Sequence, residues 1–133
     1  MTDTAKRALA VFLVDGEVRF LPAASVVCVV VMPLVTPVPG GPPELLGIAL
    51  HDGTILPVLT VGAARREMLV CQWAGEIIGV VGVEVVSTGF FAAASGQPDT
   101  FDYEGRLARP LDLGALYDGV QGARRAGPFA IVS

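Results

Sequence analysis

Two-residue turn signals divide this sequence into runs that are short, apolar and rich in β-branched residues. Asp15-Gly16, Asp52-Gly53 and Glu104-Gly105 each separate two such runs, and Gly75-Glu76 does the same. Aspartate followed by glycine favours a tight hairpin, because both central residues of that turn need a positive φ. Many short strands separated by frequent turns are typical of a β-sandwich or β-barrel. The chain is therefore predicted to be all-β.

The pattern predicts nine strands, named at the end of this paragraph. Ala23–Ser25 is expected to form a short turn of helix and Asp112–Tyr117 a closing half-turn, with no amphipathic helix of three turns anywhere. Gly89–Thr100 is expected to be a loop, Gly119–Gly127 a loose tail, and Pro128–Val132 a last strand or a docked segment. The predicted strands are Leu9–Val14, Val18–Leu21, Val26–Met32, Glu44–Leu50, Thr54–Val61, Met68–Trp73, Ile77–Val86, Phe101–Tyr103 and Arg106–Leu111.

The hairpin pattern occurs on both sides of a polar stretch, Gly62–Glu67. This predicts one domain over residues 9–118, made of two barrel halves of about 9–62 and 67–118 that can exchange strands, with a tail over 119–133. Pro57 is expected in an edge strand or at a bulge, because proline cannot donate to a β-ladder. Gly79 and Gly82 are expected where another backbone comes close or a barrel curves tightly.

The apolar composition requires a membrane span to be considered. The chain is 53% hydrophobic. The segment Phe20–Pro43 carries no charged residue and is long enough to cross a bilayer. Six prolines interrupt that stretch, however, and a helix in lipid must satisfy its own backbone. Strands buried on both faces explain the composition better than membrane insertion does.

The protein is expected to be cytoplasmic and not to bind nucleic acid. No secretory signal precedes the first strand, and Cys28 and Cys71 are expected to be two buried, reduced thiols. The net charge is −4, with nine Lys and Arg in all. A basic stripe that could displace counterions from a nucleic acid is absent from the sequence.

No set of residues reaches the standard of a catalytic or metal site. His51 stands beside Asp52, but neighbouring strand residues point to opposite faces, so a solvated turn histidine is expected. Asp99, Asp102 and Glu104 could hold a hard cation, yet their spacing favours a solvated hairpin. One histidine and two distant cysteines do not make a zinc site, and Gly79–Gly82 is not a phosphate loop. The protein is therefore not expected to be an enzyme or to need a cofactor.

A longer pattern resembles a known family. The run Val11–Pro22 is followed by Val26, then by Pro37-Val38-Pro39-Gly40, by Pro43–Leu50, and by Gly53–Leu59. This order resembles the first half of CheW-like domains, the adaptors of bacterial chemosensory arrays. Ile77–Val81 and Arg106–Leu116, with Leu111-Asp112-Leu113, resemble the second half. The resemblance covers about residues 9–118.

The resemblance implies two five-stranded SH3-like barrels packed side by side and a non-catalytic scaffold. It implies that one barrel end binds the regulatory domain of a CheA-type histidine kinase, and that the groove between the barrels binds the tip of a methyl-accepting chemoreceptor. The residues expected to contact partners on this basis are Val26, Gly47, Asp52, Gly53, Pro57 and Gly79.

Four departures from the family pattern leave an alternative open. Asp52 occupies the position of an arginine in the family's NLRG segment, and Val83 follows Gly82 where the family has aspartate. The segment between Val86 and Phe101 is short, and the tail from Gly119 lacks the helical character that is usual in the family. Asp52 would repel a partner carboxylate that such an arginine attracts. The alternative is a divergent module that has lost one interface and acts as a small-ligand-binding or regulatory protein.

Overall fold

Four tight turns organise the strands. The computed structural model describes residues 7–91 and 100–126. Both central residues have positive φ at Asp15-Gly16, Asp52-Gly53, Ala74-Gly75 and Glu104-Gly105, as type I′ hairpin turns require. Three of the four are turns predicted from the sequence. The fourth lies one residue earlier than the predicted Gly75-Glu76.

The described residues contain ten strands, one 3-10 turn and one α-helix. The short turn of helix predicted at Ala23–Ser25 is present as the 3-10 turn, between the second and third strands. The elements in chain order are β1 (Arg7–Val14), β2 (Glu17–Pro22), β3 (Val26–Val31), β4 (Leu45–His51), β5 (Thr54–Thr60), β6 (Glu67–Trp73), β7 (Glu76–Val81), β8 (Glu84–Phe91), β9 (Phe101–Tyr103), β10 (Arg106–Pro110) and α1 (Leu113–Ala126).

The strands form two five-stranded sheets. The first sheet has the order β8-β1-β2-β10-β9, and the second has the order β3-β6-β7-β5-β4. The first sheet therefore combines the beginning of the chain with its end, whereas the second uses the continuous segment between them. Gly62–Glu67, expected to separate the halves, joins two strands of the same sheet. The chain changes sheets at the 3-10 turn and at Gly82-Val83.

A shared core joins the sheets. Phe12 and Leu21 from the first sheet pack with Leu59, Leu69 and other buried side chains of the second, and Leu113 of α1 completes the cluster. Each sheet also has its own smaller core. Many of the hydrophobic residues in the sequence are thus buried in three core clusters.

The strand predicted over Ile77–Val86 is two strands in different sheets. β7 ends at Val81, and β8 begins at Glu84 and pairs with β1. The break is at Gly82, where φ is +94° and an added Cβ would lie 2.2 Å from the backbone nitrogen of Gly62. The expected close backbone approach is thus present at Gly82. At Gly79 the close neighbour is instead the side chain of Met68.

β8 continues to Phe91, so the predicted loop over Gly89–Thr100 is wrong in its first three residues. Its pairing with β1 supplies the reason, because residues Gly89–Phe91 align with Leu9, Ala8 and Arg7. The rest of that loop, apart from Thr100, lies outside the described residues, as does the predicted strand Pro128–Val132. The short segment after Val86 therefore does not shorten β8, although β9 has only three residues.

Pro57 lies in an interior strand rather than at an edge. It pairs with Ile48 of β4, whose N–H and C=O both bond to Thr36 on the other side. Pro57 therefore faces β4 at a non-hydrogen-bonded position, and β7 pairs with β5 only from Val58 onward. No ladder bond is lost at this proline.

The C-terminal helix is the largest departure from the sequence prediction. α1 runs for 14 residues, through much of the segment expected to be loose. Asp112 caps it, because the N–H of Ala115 donates to the Asp112 side chain at 2.9 Å. Leu113, Leu116 and Tyr117 have helical spacing and pack on the shared core. Three glycines in α1 lower its helix propensity and hide this pattern in the sequence.

Candidate functional site

The outer face of the β4–β5 hairpin is apolar and exposed. Ile48 pairs with Pro57, and Leu50 pairs with Ile55, across the two strands. Leu50 and Ile55 are each 67% exposed, although both are large aliphatic residues. Large apolar side chains paired on the solvent side of a sheet are typical of a surface that another protein covers.

The segment after β3 extends this face. Leu34 is 90% exposed, and it lines a shallow groove of about 360 Å³ together with Pro33, Ile48, Leu50 and Ile55. We call Leu34, Ile48, Leu50, Ile55 and Pro57 the hairpin face. Val31, at the end of β3, is 84% exposed and leads into it.

A close backbone contact holds the hairpin face in place. Thr36 and Ile48 exchange two backbone hydrogen bonds of 2.8 and 2.9 Å, so the segment after β3 closes the free edge of β4. Gly47 makes this possible, since an added Cβ would lie 2.2 Å from the carbonyl oxygen of Thr36. The role of Gly47 is thus to bring two chain segments together, and it is itself buried.

Asp52 and Gly53 form the turn at the tip of the hairpin. Asp52 has a φ of 49° and its side chain is 90% exposed. It stands at the end of the hairpin as an exposed carboxylate with Oδ2 at 3.6 Å from His51 Nε2. Gly53, with a φ of 77°, completes the turn and has open space around it.

His51 is not the solvated turn histidine expected from the sequence. Its side chain is 22% exposed, with Nε2 at 3.6 Å from Asp52 Oδ2 and 3.8 Å from Cys28 Sγ. The expectation fails because Asp52 has left the strand for a left-handed turn conformation, so strand alternation no longer separates the two side chains. Cys28 is half-buried and Cys71 fully buried, and both are free thiols.

The remaining two predicted partner residues lie away from the hairpin face. Val26, half-buried at the start of β3, pairs with Cys71 and packs on the shared core. Gly79 is buried in β7 beneath Met68. Four of the six predicted residues, Gly47, Asp52, Gly53 and Pro57, thus lie in the one hairpin.

The exposed leucine and isoleucines were missed by sequence reasoning, although the sequence contains a signal for them. In β4 the inward positions are Gly47 and Ala49, whereas Ile48 and Leu50 point outward. Small residues alternating with large ones, with no polar face, indicate a strand whose outer side is also covered.

A second, more polar groove lies where the two sheets meet. It has a volume of about 530 Å³ and is lined by Val31 of β3, by Ala64–Glu67 and by Val83–Val85. The N–H of Val85 donates to the Glu67 carboxylate at 3.3 Å, which ties β8 to β6. We call this the junction groove. It combines two arginines and two glutamates with an apolar part.

Residues 7–91 and 100–126 contain neither a cluster of metal-ligating side chains nor a membrane-spanning helix. No group of three or more histidine, cysteine, aspartate or glutamate side chains there could hold a metal ion. Asp102 and Glu104 are exposed on their hairpin, and Asp99 lies outside the described residues. Among the described residues no helix is both long and apolar enough to cross a bilayer.

Comparisons with known proteins agree with this architecture. The structure is similar to the crystal structure of the scaffolding protein TtCheW from Thermoanaerobacter tengcongensis, with a TM-score of 0.71 over 86% of this chain and 94% of that one. That fold contains two SH3-like barrels, which confirms the predicted fold class. The identity of the two sequences is 16%. No curated protein sequence matches the chain significantly.

The family assignment rests on a sequence match. The family model of the CheW-like domain matches residues 8–87, which is more than half of the 133 residues. That range contains β1 without Arg7, all of β2 to β7, the start of β8 and the whole hairpin face. The family consists of non-catalytic scaffold proteins of chemotaxis signalling. The chain belongs to the CheW-like domain family.

Proposed function

We propose that this protein is a non-catalytic adaptor that couples a CheA-type histidine kinase to methyl-accepting chemoreceptors. The observation that carries the proposal is the exposed, paired apolar surface of the hairpin face in a member of a scaffold family. Such a surface is costly to leave in water and gains free energy when a partner covers it.

The hairpin face is the proposed docking surface for the kinase regulatory domain. Apart from Leu34, its side chains are held on the paired strands β4 and β5, so little conformational entropy is lost when they are buried. Asp52 at the rim selects for a partner that does not present a carboxylate at the same place, since like charges at an interface can cost several kcal/mol.

The junction groove is the proposed binding site for the receptor tip. It lies between the two sheets and offers the apolar side chains of Val31 and Val85 beside Arg65 and Arg66. An amphipathic helix fits such a groove by laying its apolar face inward and its charges on the rim.

Calorimetry with the regulatory domain of the kinase from the same organism tests the proposal. We expect micromolar or tighter binding, and Leu50→Asp should weaken it at least tenfold, because it places a charge in the centre of the hairpin face. Leu107→Asp is the matched control. Leu107 is also an exposed leucine on a strand, at 40% exposure, but it belongs to β10 of the first sheet. Its replacement should leave binding unchanged.

Asp52→Arg and Asp52→Asn address the altered charge. If Asp52 opposes a partner carboxylate, Asp52→Arg should tighten binding more than Asp52→Asn does. If the partner has changed to match Asp52, both variants should weaken binding. Absence of binding by the unaltered protein to both the kinase domain and the receptor tip would contradict the adaptor role and favour the small-ligand alternative, which a screen for ligands that raise the melting temperature would then test.

A further inference from the structure

Three side chains with complementary chemistry meet at the turn of the β4–β5 hairpin. Cys28 comes from β3, His51 from the end of β4 and Asp52 from the turn. His51 Nε2 lies 3.8 Å from Cys28 Sγ and 3.6 Å from Asp52 Oδ2, so one ring nitrogen stands between a thiol and a carboxylate. The adaptor role uses the charge of Asp52 but not its contact with His51 or the contact of His51 with Cys28.

These distances allow a proton to pass from the Cys28 thiol to the imidazole of His51. The imidazole can accept the thiol proton on Nε2, which leaves a thiolate beside an imidazolium. The Asp52 carboxylate then faces the new positive charge and stabilises it. The thiolate, not the thiol, is the form of cysteine that attacks electrophiles.

Cys28 is only partly buried, so a small reagent can reach it. A cavity of about 180 Å³ lies beside the imidazole, and Val27, His51, Asp52 and Thr54 are among its lining residues, whereas Cys28 is not. The other cysteine is a natural contrast, because Cys71 is fully buried in the neighbouring strand β6. Burial and the nearby Cys28 raise the pKa of Cys71 to about 12, which keeps it protonated.

We propose that Cys28 is a peroxide-reactive thiol activated by His51 and Asp52. The Cys28 thiolate attacks one oxygen of hydrogen peroxide, and an S–O bond forms as the O–O bond breaks. The sulfur is oxidised to a sulfenic acid and the peroxide is reduced. The departing hydroxide takes the proton from His51 Nε2 and leaves as water, which returns the imidazole to its neutral form.

Oxidation of Cys28 is expected to disturb the hairpin face. Cys28 packs on the core of the second sheet, and its partner His51 follows Leu50 directly in β4. A polar oxygen on Cys28 breaks the thiol–imidazole contact at the base of the turn that carries Leu50 and Ile55. This step rests on the proposed function, and it predicts that peroxide lowers the affinity for the kinase domain severalfold.

Site-resolved labelling tests the thiol chemistry without any partner. The full chain is treated with hydrogen peroxide and dimedone, or with iodoacetamide alone, and the two cysteines are followed by mass spectrometry. Cys28 should react at least about tenfold faster than Cys71, and His51→Gln should slow Cys28 by about tenfold or more, as expected for loss of a proton acceptor. Asp52→Asn should slow it by a smaller factor. Asparagine tolerates the left-handed turn, so this variant keeps the fold.

The direction of change separates activation from mere exposure. If His51 only covers Cys28, His51→Gln leaves the rate unchanged or raises it, and that result overturns the proposal. Equal rates at Cys28 and Cys71 overturn it as well. Fast labelling of Cys28 combined with peroxide-independent kinase binding would retain the reactive thiol and reject only its effect on docking. In Cys28→Ser, peroxide should leave kinase binding unchanged.

Discussion

Single residues at close backbone contacts determine whether the second barrel can close. Gly47 faces the carbonyl group of Thr36, and a backbone carbonyl cannot turn aside as a flexible side chain can. The sequence did single out Gly47, through its place in a family motif. It gave no sign that Thr36 is the neighbour, because no local pattern relates a loop residue to an edge strand.

Gly47→Ala is predicted to lower the free energy of unfolding by about 1–3 kcal/mol, the usual cost of forcing extra volume into a packed site. The added methyl group must break the Thr36–Ile48 bridge and loosen the hairpin face. Gly119→Ala is the control, since nothing lies within 4 Å of an added Cβ there. In the helix interior it should stabilise the fold by up to about 1 kcal/mol. Urea unfolding measures both, and equal effects would contradict the contact.

Cys71 gives a prediction for alkaline pH. Its folded-state pKa is raised to about 12 from an ordinary value of 9.0, by burial first and by Cys28 second. Below pH 9 the thiol is neutral in both states, and its contribution to stability is fully present. As the pH rises from 9 towards 12, the unfolded chain ionises and the folded one does not, so stability falls by about 1.4 kcal/mol per pH unit.

Urea unfolding at about pH 8 and about pH 10 should show this loss as a difference between the unaltered protein and Cys71→Ala. The variant cannot ionise at this position, so its decline over the same interval should be smaller by about 1 kcal/mol. Parallel declines in the two proteins would mean that Cys71 ionises normally in the folded state.

A hydrogen bond between two connections supplements the core in holding the sheets together. Asp15, at the β1–β2 turn of the first sheet, accepts a hydrogen bond of 2.9 Å from the N–H of Ala63 in the β5–β6 connection. The same carboxylate is the near neighbour of Gly62. This contact orders a connection that the sequence takes for a boundary between halves.

Asp15→Gly should therefore lower the free energy of unfolding by about 1 kcal/mol, the usual net value of one hydrogen bond. Glycine keeps the positive φ of the turn but lacks the acceptor. Asp15→Asn retains an acceptor oxygen and tolerates the same φ, and is expected to lie close to the unaltered protein. Thermal unfolding of the three proteins checks this order, and equal losses for both variants would show that charge rather than the hydrogen bond matters.

At this scale the sequence predicts strands well and the helix poorly. Asp-Gly and Glu-Gly turns place hairpins within a residue or so, because the required φ values restrict which residues can form them. α1 escapes prediction because its stability comes from docking Leu113, Leu116 and Tyr117 on a core that exists only in the folded protein. His51 and Cys28, 23 residues apart, meet for the same reason, through tertiary contact.

The whole molecule interleaves its two barrels. A hydrophobic run indicates a strand but not the sheet it joins, so the sequence left the exchange between halves open. In the structure β8 to β10 join the same sheet as β1 and β2. The strands of the second sheet, β3 to β7, thus lie between these two groups along the chain. The shared core lies between the sheets, which makes each barrel dependent on the other.

The protein should accordingly unfold in one cooperative step, and damage to either sheet should lower the stability of both. Phe12→Ala removes a fully buried ring of the first sheet from the shared core, at an expected cost of about 3–5 kcal/mol. Trp73 ends β6 of the second sheet and its ring lies next to Gly114 of α1, so its fluorescence reports on the second sheet packed against α1. Far-ultraviolet circular dichroism reports on both sheets. In urea the two signals should change together in the unaltered protein and shift together in Phe12→Ala. If instead Trp73 kept its midpoint while the circular dichroism midpoint fell, the second sheet with α1 would unfold independently of the first sheet. The interleaved topology would then position the hairpin face and the junction groove rather than stabilise them.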